Sequence, residues 1–167
     1  MSNISMCVHA ITFDADSNSP ILILKEENGE RVLPIWIGLL EATAIATEME
    51  KVEFARPMTH DLSVNLLKKM EIKIPMVEIS DLKDNTYYAL ITLKKGDSEL
   101  TVDARPSDAV AIALRADAQI FVNESILSKI KSTKETVIKN GGEIPSEEKK
   151  WAKILEEMDP ASFKYKI

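Results

Sequence analysis

The chain has 167 residues, of which 45% are hydrophobic and 29% charged, and its formal net charge at pH 7 is −6. That composition is ordinary for a soluble globular protein, and the length suits one domain with a real hydrophobic core. The acidic balance argues against a clamp for duplex DNA, whose affinity comes mainly from Lys and Arg on phosphates, although a nuclease can be acidic when a metal ion supplies the positive charge.

The compartment is predicted from the single cysteine and from the absence of targeting signals. Cys7 lies in an apolar, strand-like run and has no second cysteine to pair with, so we expect a buried thiol and a reducing compartment. Residues 1–13 lack a basic segment followed by a long apolar run, and no stretch approaches the length of a membrane span. We therefore expect a soluble, cytoplasmic protein with no membrane partner.

The first half of the chain predicts three strands followed by a helix. Asn28-Gly29 is a hairpin-turn signal between two apolar runs, and after Gly38 the apolar residues recur at helical spacing. The predicted strands cover residues 4–13, 21–25 and 31–37, and the predicted helix covers residues 39–51.

The second half repeats this pattern at a shift of 67 residues without a gap. Gly29 then falls on Gly96 and Glu41 on Asp108, and the apolar helix positions coincide. We interpret the match as an internal duplication, with units at about 1–67 and 68–134. The expected fold class is α+β: two β-β-β-α-β units forming one domain, with a largely antiparallel or mixed sheet and covering helices.

Further helices are predicted outside the repeated pattern. One covers residues 58–70, its counterpart covers 126–139, and a short helix over 146–158 follows the break at residues 140–142. We therefore expect a domain over 1–135, with a linker and a short docking helix in 136–167. The apolar face of that last helix predicts docking on the domain or on a second subunit, and hence a homodimer or higher homo-oligomer.

The polar turn before the helix of the second unit is the first candidate site. Residues 102–114 read as a strand end, a turn and an apolar helix, with Ser107 as the expected N-cap and Asp108 in the first turn. Asp103 and Arg105 share that turn. Such a cluster can bind anions or hold chemistry, and it can equally be a well-capped helix start.

A second polar cluster lies at residues 56–61. His60 stands near a helix start, where its imidazole is biased towards the neutral form that suits a general base or a metal ligand. The alternative is a hydrogen-bonded hinge in which Asp61 caps the helix and His60 packs. Glu41 and Asp108, at matching helix starts, could approach each other as two carboxylates sharing a metal or a proton.

The motifs of most large enzyme classes are absent from the sequence. It has no Gly-rich phosphate loop, zinc-type cysteine pair, His-Glu-x-x-His or Gly-x-Ser-x-Gly. The remaining candidate residues are Glu41, Arg56, His60, Asp61, Asp103, Arg105, Ser107 and Asp108.

Four separated motifs in the same order resemble the bifunctional nuclease family, as a bacterial single-domain member. The similarity covers about residues 4–130 and includes Leu33-Pro34-Ile35-Trp36-Ile37-Gly38, Arg56-Pro57-Met58-Thr59-His60-Asp61-Leu62, Asp81-Leu82 with Asp84, and Val102-Asp103-Ala104-Arg105-Pro106-Ser107-Asp108-Ala109. The resemblance implies cleavage of both DNA and RNA, and therefore nucleic-acid partners.

Roles for the individual residues are a hypothesis from their chemistry. A divalent cation, Mg²⁺ or Mn²⁺, would be held by carboxylates, and His60 would be the base that activates water. Arg56 or Arg105 would stabilise the developing phosphorane charge, and Asp61 and Ser107 complete the catalytic candidates. The expected metal ligands are Glu41, Asp103 and Asp108. The alternative is a non-catalytic oligomeric module that binds a ligand or a partner, in which the polar clusters are structural.

Overall fold

A computed structural model of the protein describes residues 2–131, and within them lie seven strands and four helices. In chain order these are β1 (Asn3–Phe13), β2 (Pro20–Glu26), β3 (Val32–Trp36), α1 (Leu39–Met49), α2 (Thr59–Lys69), β4 (Lys73–Lys83), β5 (Thr86–Lys95), β6 (Ser98–Ala104), α3 (Pro106–Ala116), β7 (Gln119–Asn123) and α4 (Glu124–Lys131).

All seven strands form one sheet in the order β3-β2-β1-β7-β4-β5-β6. Two antiparallel meanders, β1-β2-β3 and β4-β5-β6, flank the short strand β7. β7 pairs antiparallel with β1 and parallel with β4, so it joins the two halves of the chain into one sheet. The Tyr87 hydroxyl on β5 donates to the Pro34 carbonyl on β3 at 3.4 Å, so strands near opposite ends of the sheet order approach each other.

The helix α3 is the centre of the packing. It contacts β4, β5 and β7 of the sheet, and both α1 and α2 pack against it. Small residues make this close arrangement possible, because Ala109, Ala111 and Ala113 on α3 are almost completely buried, as is Ala42 on α1. The first turns of α1, α2 and α3 carry five of the eight candidate polar residues, and this packing brings those turns together.

The α+β class and the mixed, mostly antiparallel sheet are confirmed, and so are the predicted helices at residues 39–51 and 58–70 to within two residues at each end. One predicted element is wrong. The first unit was expected to end in a strand, yet residues 52–58 contain none. Pro57 lacks the N–H that a sheet ladder uses, and this segment instead leads directly into α2.

Several sequence-based predictions on the C-terminal region lie outside the described residues. α4 begins at Glu124, two residues before the helix predicted over 126–139. The linker and the helix predicted over 146–158 are not part of the described chain.

The two halves share their element order, and a shift of 67 residues places the bounds of α1 on those of α3. Both hairpin glycines, Gly29 and Gly96, lie between strands. That a duplication produced this correspondence stays a prediction.

The cysteine prediction is wrong in its burial. Cys7 is exposed, because it lies on the outward side of β1, where Met6 and not Cys7 faces the core. No helix in the described part of the chain is both long and apolar enough to cross a membrane.

Candidate functional site

Three helix starts meet around one guanidinium group. Arg105 immediately precedes α3, Glu41 is in the first turn of α1, His60 is in the first turn of α2, and Asp108 is in the first turn of α3. We call these four residues the Arg105 cluster. The two carboxylates that the repeat predicted to approach each other do so, and they meet through Arg105.

Arg105 makes ion pairs with both carboxylates. Its Nη1 donates to Glu41 Oε1 at 2.7 Å, its Nε to Asp108 Oδ2 at 2.7 Å, and its Nη2 to Asp108 Oδ1 at 3.2 Å. The Arg105 side chain is 65% exposed, whereas those of Glu41 and Asp108 are 22% and 29% exposed. The guanidinium is therefore held in place by two partly buried anions and still faces solvent.

His60 completes the cluster from the side of α2. Its Nε2 lies 3.1 Å from Asp108 Oδ1, and its side chain is 18% exposed. Burial favours the neutral form of Asp108, but hydrogen bonds from Arg105 and His60 outweigh it and hold the pKa of this carboxyl below its ordinary value. An ionised carboxylate can only accept, so Nε2 carries the proton and Nδ1 is left with no hydrogen-bond partner among the described residues.

Asp61 belongs to a separate ion pair, outside the Arg105 cluster. Its Oδ2 accepts from the Met58 backbone N–H at 2.8 Å, so Asp61 caps α2 as the structural alternative expected, and its predicted catalytic role gains no support. Its Oδ1 accepts from Arg115 Nε of α3, whose side chain is only 7% exposed. Burial opposes ionisation of Asp61, but the bond from Arg115 is among the contacts that lower its pKa overall. This pair ties α2 to α3.

The predicted N-cap of α3 is wrong by two residues. Pro106 takes the first helical position, for which its fixed φ is suited, and Arg105 becomes the N-cap with extended backbone angles of φ −70° and ψ 146°. Ser107 is therefore inside the helix and is 5% exposed. It lines a cleft beside Arg105 but does not cap the helix.

Besides Asp61 and Ser107, two further predicted site residues lie outside the cluster. Asp103 is exposed on the edge strand β6, opposite Leu90 of β5, and it makes no ion pair within residues 2–131. Arg56 is exposed in the segment before α2, and it too has no ion pair with any described residue. Both residues lie close in sequence to members of the cluster. The alternation of side chains along β6 turns Asp103 away from the cluster, and the loop before α2 leaves Arg56 outside it.

The predicted metal ligands do not fit a cation in this arrangement. One oxygen of Glu41 and both oxygens of Asp108 are bonded to Arg105, and Asp103 is apart from them. In the part of the chain that the structure describes, no group of three His, Cys, Asp or Glu side chains is placed to hold a metal ion. The guanidinium occupies the position between the carboxylates that a cation would need.

The cluster stands between two clefts, and Glu41 and Arg105 line both of them. The cleft of about 300 Å³ also includes Trp36 and Tyr87, and the cleft of about 430 Å³ includes Phe54. Both volumes are in the range of about 300–1,000 Å³ that small-ligand pockets have.

The sequence-based analysis missed Arg115 and the aromatic residues of the clefts. Arg115 could have been found, because it follows Asp108 by seven residues and so lies on the same face of α3, next to an apolar stripe where a charge needs a partner. Trp36 ends a strand and gave no comparable signal.

Comparison with known proteins identifies relatives of most of the described region. A family model described as "Bifunctional nuclease domain" matches residues 22–135. An uncharacterized protein of Mycobacterium tuberculosis is 45% identical over 122 residues, which is 73% of each chain. Bifunctional nuclease 2 of Oryza sativa subsp. japonica is 32% identical over 64% of this chain and 34% of its own length. Bifunctional nuclease 1 of Arabidopsis thaliana is 30% identical over 63% of this chain and 34% of its own length.

Proposed function

The chain belongs to the bifunctional nuclease domain family, and from that premise we propose that it hydrolyses phosphodiester bonds of DNA and RNA at the Arg105 cluster. The family membership rests on the matched domain and on the Mycobacterium relative. The match covers only about a third of each plant nuclease, so the activity in their names is carried over to this chain as part of the proposal.

The observation that carries the proposal is the His60–Asp108 pair beside a partly exposed arginine. Asp108 accepts from His60 Nε2, which orients the ring and leaves Nδ1 available to take a proton from water. The water oxygen then forms the new bond to phosphorus, and the bond from phosphorus to the leaving nucleotide oxygen breaks. The leaving oxygen takes a proton from solvent, and Nδ1 returns its proton to solvent, which restores the resting ring.

Arg105 is the group that would stabilise the charge that develops on the phosphoryl oxygens. Its guanidinium is 65% exposed and is already oriented by Glu41 and Asp108, so it can contact a phosphate without being ordered first. Arg56, the other arginine that we considered for this role, gains no support from its position outside the cluster.

A divalent cation remains a prediction from the chemistry of the carboxylates. Two carboxylates and one guanidinium leave the cluster with excess negative charge, which opposes the approach of a phosphate. A cation would relieve that repulsion, but Arg105 would first have to release the oxygens of Glu41 and Asp108. No step of the proposed reaction is therefore assigned to a metal ion.

The test is cleavage of fluorescent RNA and DNA oligonucleotides in Mg²⁺, in Mn²⁺ and in EDTA, with wild type, Arg105→Gln and Arg56→Gln. We expect Arg105→Gln to lower the rate by about 10²–10³-fold, as for loss of one preorganised donor to a transition-state anion. Arg56→Gln is the matched control and should keep the wild-type rate. Equal rates for the two variants would contradict the role of Arg105, and full activity in EDTA would remove the predicted cation.

A second candidate function is supported by the exposed apolar side chains. Leu40 is 82% exposed, and Leu62, Leu66 and Met70 on and just after α2 are between 51% and 56% exposed. Leu62, Leu66 and Met70 are four residues apart and so share one helix face, and a contiguous exposed apolar surface of this kind marks an interaction site. A non-catalytic, homo-oligomeric interaction module would show no cleavage in the oligonucleotide assay, and it would self-associate in sedimentation experiments.

A further inference from the structure

The two clefts that share Arg105 point to the form of nucleic acid that the site would take. Each is lined by Glu41 and Arg105, so the clefts adjoin at one arginine. A cation that faces both clefts can hold one phosphate between the two groups that occupy them. Two adjoining clefts that share one cation suit two consecutive nucleotides and their linking phosphate.

The smaller cleft has aromatic walls. Trp36, at the end of β3, is 50% exposed there, and Tyr87 of β5 lines the same cleft. The Tyr87 hydroxyl is bonded to the Pro34 carbonyl, so the ring is fixed in orientation. A half-exposed indole beside an arginine offers a flat surface on which a base can stack whatever its identity.

The larger cleft is mainly apolar and ends at the catalytic groups. Leu40, Phe54 and Met58 line it, and so do His60 and Asp108. A base placed against these side chains would keep the attached phosphate close to the His60 ring. The clefts therefore offer two base sites and one phosphate site, with a single solvent-facing arginine between them.

We infer that the Arg105 cluster takes an unpaired strand, with one base in the Trp36 cleft, the next base in the Phe54 cleft and their linking phosphate on Arg105. This inference rests on the proposed function, whose substrate form it specifies. Bases in a duplex are stacked and paired, so a duplex must first be opened before they can enter the clefts. Stacking tolerates any base, so the site has little sequence preference.

The salt dependence of binding follows from the same arrangement. Arg105 is the exposed cation shared by the clefts, whereas the Arg115 side chain is 7% exposed and paired with Asp61. One phosphate contact predicts a slope of about −0.7 for log K against log salt with a single strand. Stacking on cleft walls, and not phosphate neutralisation, then supplies most of the affinity.

The experiment measures fluorescence anisotropy of a labelled single-stranded DNA hexamer, its duplex and an abasic hexamer, in EDTA, beside the cleavage assay. We expect the single strand to bind at least about tenfold more tightly than the duplex or the abasic strand, since stacking contributes most of the affinity. Trp36→Ala should weaken single-strand binding by about 5- to 150-fold, and Trp36→Phe should largely restore it. Tyr88→Ala is the control, because Tyr88 is 41% exposed and lines neither cleft.

Binding and cleavage separate the two proposals. Equal affinity for single strand and duplex, an unchanged affinity of Trp36→Ala, or a salt slope of several units would overturn the inference, even if the protein cleaves. Trp36-dependent binding of the single strand without any cleavage by the wild type would support the inference about the ligand and overturn the nuclease activity.

Discussion

At the scale of single residues, Arg105 determines what the site can do. It stands at the N-terminus of α3, where the helix dipole disfavours a cation, and two carboxylates offset that cost. The sequence predicted which residue types gather here. It could not predict that Arg105 would take the place between Glu41 and Asp108 that was assigned to a metal ion, because this depends on how α1 packs against α3.

Gly38 controls the position of the Glu41 carboxylate. A Cβ at Gly38 would lie 2.2 Å from Glu41 Oε2, so Gly38→Ala must displace that carboxylate from its place beside Arg105. The Gly38 φ of −77° is accessible to alanine, so we expect little change in stability. Cleavage should fall by about 10- to 100-fold, the range for small misplacement of a catalytic group.

The matched control for this prediction is Gly29→Ala. A Cβ at Gly29 would also meet a carboxylate oxygen, Glu26 Oε2 at 2.2 Å, but in a hairpin away from the cluster. The measurements are the cleavage rate and the urea denaturation midpoint of each variant. If Gly38→Ala cleaves as fast as Gly29→Ala, the position of Glu41 does not matter for the reaction.

At the scale of elements, helices were predicted well and the end of the first unit was not. The spacing of apolar residues located α1, α2 and α3 because each buries one face against the sheet or a neighbouring helix. The strand expected before α2 rested on the repeat, because the shift of 67 residues places Phe54 on Phe121, which is in β7. One matching aromatic residue does not specify a strand when its neighbours lack alternation and include Pro57.

The pair between Asp61 and Arg115 is the link that holds α2 against α3. Removal of either partner leaves a charge in a partly buried position, so Arg115→Ala and Asp61→Ala should each destabilise the fold. A double-mutant cycle followed by urea denaturation should give a coupling energy of about 1–3 kcal/mol.

The pair between Arg31 and Glu124 is a suitable comparison for this cycle. Its side chains are 32% and 48% exposed, so its coupling energy should stay below about 1 kcal/mol. A coupling between Asp61 and Arg115 no larger than that of this surface pair would show that the buried link does not stabilise the helix pair.

At the scale of the whole molecule, the sequence predicted a mixed sheet of two similar halves but not the strand that joins them. β7 is short, and its pairing with β1 and β4 brings together residues from the two ends of the described chain. No local pattern specifies such pairings. The clefts were missed for the same reason. The walls of the smaller cleft come from β3, α1, β5 and the start of α3, and those of the larger cleft come from α1, α2, the segment before α2, and α3.

The nuclease and interaction hypotheses make different demands on the same surface. A nuclease needs His60 and Arg105 to reach substrate, whereas an interaction module needs only the exposed apolar side chains around them. The acidic net charge of −6 is compatible with an interaction module, and it is compatible with the nuclease if stacking in the clefts supplies most of the affinity.

The most direct test of the central claim compares the two histidines of the chain in cleavage of a single-stranded oligonucleotide. His60 is hydrogen-bonded to Asp108, whereas His9 is exposed at the irregular position of β1 between Val8 and Ala10. We predict that His60→Asn cleaves at least about 100-fold more slowly than wild type, which is the lower end of general-base contributions. The variants are purified identically, and circular dichroism checks that each is folded. His9→Asn should retain the wild-type rate. Equal rates for wild type, His60→Asn and His9→Asn would contradict the account, because the cleavage would then arise elsewhere than at the Arg105 cluster.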